Sequence, residues 1–180
     1  MTDQMPETLL LTVSGKDRPG VTSAMFSTLT RAGVEVLDIE QIVLRRRLIL
    51  GILVTAPRDS KRLSEAVEAT AAELGMHIDV DRGIGDNKVR REGRSHVTVI
   101  GAPLRAAAMA AIAGRIADSG ANIDRIERMA RYPVTAIDLH VSGADPDRLR
   151  ALLSVEAANQ SVDIAVQPAS LLRRAMRLIV

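Results

Sequence analysis

The residues best placed to do chemistry in this 180-residue chain form one short run, Gly15-Lys16-Asp17-Arg18-Pro19-Gly20-Val21, between an alternating apolar segment and a helical one. The start of a helix leaves backbone N–H groups without partners and so attracts anions, and flanking glycines let a ligand approach the main chain. Asp17 sets a carboxylate beside those donors. Together they could hold a zwitterion, with the amides on an α-carboxylate and Asp17 on an α-ammonium group. A plainer reading has Asp17 capping the helix while Pro19 and Gly20 shape its first turn. On the run alone the plainer reading is the more economical.

Other chemistries find less support. There is no cysteine, which excludes disulfides, thiol nucleophiles and cysteine-bound zinc. No G-x-S-x-G elbow, H-E-x-x-H pair or G-x-x-x-x-G-K-[ST] loop occurs. His77, His96 and His140 lack ligand spacing along the chain, and His77, Asp79 and Asp81 share one strand face that reads more simply as a solvent-facing stripe. One Phe and one Tyr, neither in the strand at 48–56, leave no platform for stacking bases. The arginines at 45–47, at Arg90, Arg91 and Arg94, and at Arg173, Arg174 and Arg177 fall in a turn, a linker and a tail, where solvated charge explains them. With a net charge of +2, no nucleic-acid partner is expected. No apolar run approaches the roughly 18–20 residues of a membrane span and no signal peptide is visible, so a cytoplasmic protein without a membrane partner is expected.

The elements that must position the loop are written twice. A shift of 86 sets Leu11, Val13 and Gly15 on Val97, Val99 and Gly101; a shift of 87 sets Gly33, Val36, Ile39 and Glu40 on Gly120, Ile123, Ile126 and Glu127; and 86 returns with Met76, Ile78 and Val80 on Val162, Ile164 and Val166. Period-two and helical spacing predict, in the first half, a strand at 8–14, a helix at 18–32 ended by Gly33, a hairpin at 34–44 and 48–56 turning at 45–47, a helix at 60–74 and a strand at 76–81. The second half repeats this order at 96–100, 104–119, 122–131, 134–142, 146–159 and 162–167, with Tyr132 and Pro133 in the hairpin turn. The fold class is therefore α+β: two ferredoxin-like βαββαβ domains, each an antiparallel sheet with helices on one face. The domains are expected at 1–83 and 95–168, joined by a charged, glycine-bearing linker at 84–94 and followed by a segment at 169–180. Modules of about 80 residues have thin cores, so pairing through an open face or edge, as in a homodimer, is expected.

GKDRPGVTSAMF followed by GVEVLDIEQ resembles an ACT domain, a small regulatory module that binds amino acids beside biosynthetic enzymes. The whole chain, from TVSGKDRPGVTSAMF through NIDRIERMARYPVTAIDLHV to RLIV, is similar to the tandem ACT region that opens the actinobacterial-type phosphoserine phosphatases. The resemblance implies a catalytic domain of the haloacid-dehalogenase type beyond Val180, holding the magnesium and the nucleophilic aspartate, so that this chain itself has no cofactor and no catalytic residue. It implies a small amino-acid effector such as L-serine, bound by Asp17, Arg18, Gly20, Val21 and Thr22 of the first loop and by Asn122 and Asp124 at a facing strand start. The second loop, Gly101-Ala102-Pro103-Leu104-Arg105-Ala106, lacks the aspartate and the second glycine, which implies one kind of site, shared with the second module or another subunit. A stand-alone ACT pair acting as an interaction or gene-regulatory module is the alternative.

Overall fold

The computed structural model describes residues 5–87 and 91–170, and contacts divide the chain between Lys88 and Val89 into two units. The first contains β1(Glu7–Lys16), α1(Val21–Ala32), β2(Val36–Leu44), β3(Arg47–Thr55), α2(Ser60–Glu73) and β4(His77–Ile84). Its sheet runs β2-β3-β1-β4 with antiparallel neighbours throughout. Alternation along β1 and β3 sends Leu9, Leu11, Val13, Leu50, Ile52 and Val54 to one face, where they meet Val21, Met25 and Leu29 of α1 and Leu63, Val67 and Ala71 of α2. Each of the Val, Leu, Ile and Met side chains among them contributes about 1.5–3 kcal/mol on leaving water.

The second unit repeats the plan with β5(Ser95–Gly101), α3(Ala106–Asp118), β6(Asn122–Ala130), β7(Thr135–Ser142), α4(Pro146–Gln160) and β8(Asp163–Pro168), in the sheet order β6-β7-β5-β8. Ala108, Ile112 and Ile116 stand where the first unit has Val21, Met25 and Leu29, and Leu149, Leu153 and Ala157 stand where it has Leu63, Val67 and Ala71; all are buried. Two four-stranded antiparallel sheets, each with its helices on one side, match the architecture expected from the repeat.

The helix pairs are tied differently in the two units. Thr28 and Thr70 share a 2.8 Å hydroxyl–hydroxyl hydrogen bond between α1 and α2. At the corresponding positions Arg115 donates through Nε to Glu156 at 3.0 Å, linking α3 to α4, and Gln160 donates to the same carboxylate at 3.1 Å. The hydrogen bonds from Gln160 and from Arg115 hold the Glu156 carboxyl below the usual carboxylate range.

Three of the departures from the expected boundaries have a clear local cause. Helix α1 begins at Val21, not at 18, because Gly20 takes φ 95°, breaking the helical run, and serves as the N-cap with no side chain capping the helix. Asp17 is therefore not the cap, and Pro19 lies in the turn before the helix rather than in its first turn. Strand β4 continues past 81 to Ile84, since its pairing with β1 runs on to Glu7 opposite Ile84. At the far end of the expected linker, Glu92 and Arg94 accept hydrogen bonds from the N–H groups of Gly143 and Ala169, which ties them to the second unit. Arg90, the arginine cluster at 173–177 and the closing RLIV lie outside the described residues.

Candidate functional site

The first loop is built by the two elements it joins. The N–H of Asp17 donates to the carbonyl of Arg46 at 2.8 Å, so the loop is fastened to the β2–β3 turn. That turn is tight: Arg45 and Arg46 both have positive φ, 47° and 64°. Gly15 is packed so closely that a Cβ there would lie 2.5 Å from the sulfur of Met76. Asp17, Arg18, Pro19 and Gly20 are exposed. With Gly20 in a positive-φ conformation and no capping side chain, the first-turn amides of α1 face the loop with neither intrahelical partner nor cap.

The structure separates the expected residues by role. Val21 is 1% exposed and sits in the core, so only its main chain is available to a ligand. Thr22 donates its hydroxyl to Oε1 of Gln41 at 2.8 Å, which ties the helix start to β2 and brings in Gln41, a residue the spacing argument missed. The guanidinium of Arg18 lies near Gly75, between α2 and β4. In the second unit Asn122 and Asp124 are exposed at the start of β6, and the Asn122 amide donates to Asp124 at 2.7 Å. A register shift between Ile123 and Arg125 sets Asp124 out of the regular pairing with β7.

The second loop has another shape. Arg105, the N-cap of α3, is extended (φ −92°, ψ 149°) and caps nothing through its side chain. The Ala102–Pro103 bond is cis, and Leu104 packs against the core cluster. A shallow hollow of about 460 Å³ lies elsewhere in this unit, lined by Arg91, Glu92, Pro146 and Pro168, and includes none of the expected site residues.

Reading histidines by linear spacing also missed a cluster. His96 of β5 lies directly across from His140 of β7, and Asp138 stands between them on the same face. The signal was present as alternation, His96 and Thr98 on one strand and Asp138 and His140 on the next, but it needed the strand register. His77 and its neighbours Asp79 and Asp81 are exposed along β4, as a solvent-facing stripe requires.

Comparison with known proteins gives a consistent result. Residues 7–81 and residues 94–167 each match a family described as ACT domain. The chain is 51% identical over 175 residues to a phosphoserine phosphatase of Streptomyces coelicolor, and 39% identical over 178 residues to phosphoserine phosphatase SerB2 of Mycobacterium tuberculosis. Each alignment covers 96% of this chain but 43% of the relative, so the chain spans under half the length of these proteins. A crystal structure of an unknown protein from Galdieria sulphuraria superimposes with a TM-score of 0.75 at 20% identity, covering 91% of this chain and 98% of that one. It shares the fold.

Proposed function

Since the chain belongs to the ACT-domain family and carries two such domains in tandem, we propose that it is the amino-acid-sensing region of a phosphoserine phosphatase. In this reading it binds L-serine or another small amino acid and catalyses nothing by itself. The observation that carries the reading is the first loop: uncapped helix amides, a glycine in a positive-φ conformation and an exposed carboxylate within one short turn. The α1 terminus stabilises a carboxylate, Asp17 takes the ammonium group, and Asn122 and Asp124 form a second candidate contact set. Effector binding alters turnover of the whole enzyme only by favouring one assembly state over another. Self-association is the means: the edge strand β2 exposes Val36, Ile39, Ile42, Val43 and Leu44, each 44–56% open, which suits an edge that pairs with a second copy.

Calorimetric titration of the chain with L-serine, glycine and larger amino acids tests the proposal, alongside Asp17→Ala and Asn122→Ala variants checked for folding. Saturable binding lost in the Asp17 variant supports the sensor role. Absence of binding at millimolar amino acid would overturn it in favour of a purely dimerising role, and phosphoserine hydrolysis by this chain alone would overturn the assignment of catalysis elsewhere.

A further inference from the structure

We propose that His96, Asp138 and His140 form a binding site for a divalent transition metal of the zinc type on the sheet of the second unit. The β5–β7 register sets His96 opposite His140 and Thr98 opposite Asp138, and alternation puts all four on the face away from the core. His96 Nδ1 lies 2.7 Å and His140 Nε2 3.2 Å from the same oxygen, Oδ2 of Asp138. One ligand atom from each residue falls within 4.8 Å of the other two. Zinc bonded at about 2.0–2.2 Å in a tetrahedron keeps its ligands roughly 3.3 Å apart, so admitting an ion requires His96 and Asp138 to separate by about 0.6 Å. Two imidazoles and one carboxylate suit zinc, cobalt or nickel rather than magnesium or calcium, which prefer all-oxygen ligands.

The surroundings support the same assignment. Glu127 of β6 lies across from Asp138, and its Oε2 is 3.7 Å from His140 Nε2, within reach of a fourth position. Arg125 holds the other oxygen of Glu127 at 2.7 Å, and Thr98 Oγ1 lies 3.5 Å from the second oxygen of Asp138, the kind of outer contacts that orient metal ligands. Asp138 is 8% exposed, a costly place for a carboxylate unless cationic partners satisfy it. The fold does not demand this group. At the corresponding positions of the first unit the same pairing sets Leu10 opposite Leu53 and Thr12 opposite Gly51. A bound ion would staple β5 to β7 and, through Glu127, to β6.

The test is titration of the metal-stripped chain with Zn²⁺ by calorimetry and with Co²⁺ by visible absorption. The comparison set is the double variant His96→Gln/His140→Gln, the near-isosteric Asp138→Asn, and the control His77→Gln, with circular dichroism reporting folding. The expected result is one-to-one saturation at micromolar metal with intense tetrahedral Co²⁺ bands, weakened by roughly a hundredfold or more in the double variant and in Asp138→Asn, and unchanged in the control. Lack of saturable binding up to millimolar metal, or equal binding in the folded variants, would overturn the proposal. So would variants that lower the thermal midpoint while metal has no effect on the unaltered chain, since the cluster would then be a hydrogen-bonded strut.

Discussion

Where the two helices of the first unit touch, two threonines meet; at the same place in the second unit an arginine meets a glutamate. The core-facing positions of the helices that make these contacts correspond in both units, Met25 and Leu29 with Ile112 and Ile116, Val67 and Ala71 with Leu153 and Ala157, and all are buried. The loops that follow the first strand of each unit diverge in the same way. One has a positive-φ glycine and an exposed aspartate, the other an extended arginine and a core-seeking leucine. The lesson is that burial specifies this scaffold, whereas polar positions on its rims were free to differentiate, and any recognition chemistry must lie in what differs.

The strongest way to probe the shared part is to cut it at matching points. Ile52→Ala and Leu139→Ala each remove a fully buried side chain from equivalent strands. Each is expected to cost about 2–5 kcal/mol in urea unfolding, with faster amide exchange concentrated in the altered unit. Next comes the loop contrast. Asp17→Ala is expected to weaken L-serine binding by roughly tenfold or more, the loss of one charge-assisted contact, while Arg105→Ala in the other loop leaves it within about twofold; calorimetry reads both, and the reverse order would move the site to the second loop. Gly20→Ala meets no atom within 4 Å, yet its φ of 95° should cost about 1 kcal/mol in thermal unfolding, a penalty that Arg105→Ala, in extended backbone, should not carry.

Smaller again is the β2–β3 turn. Arg45 and Arg46 occupy conformations that Asn and Gly adopt more readily, so Arg45→Asn with Arg46→Gly is expected to raise stability by roughly 0.5–1 kcal/mol. The mildest effect is one of pH. Because hydrogen bonds lower the Glu156 carboxyl in the folded protein, its contribution is present above the unfolded carboxylate range and is lost as pH falls through the folded value. The α3–α4 contact should therefore loosen in acid while the threonine-tied α1–α2 contact does not, as amide exchange at pH 3 and pH 7 would show.

Most of the architecture was legible because burial imprints a period. The alternation of Leu9, Leu11 and Val13 and the helical spacing of Leu63, Val67 and Ala71 predicted both strand and helix, and the offset repeat predicted the second unit. The start of α1 was not legible, because what ends the turn is a backbone angle at Gly20 rather than a capping side chain. The end of β4, expected at 81 with Ile84 already in the linker, was hidden for a similar reason: glycine at 83 suggests a break, but pairing with β1 carries the strand through it. The His96–Asp138–His140 cluster was hidden because its members come from strands some 40 residues apart, and only register brings them together.

The position of β1 between β3 and β4 has a consequence for how the chain is made. Of this unit's four strands the earliest in the chain is an interior one, and its two neighbours arrive later, the second of them only at His77–Ile84. Until then one flank of β1 presents open N–H and C=O groups along an apolar strand. Synthesis therefore passes through a stage at which nascent copies on neighbouring ribosomes could zip edge to edge, and the wait for β4 sets how long that flank stays open.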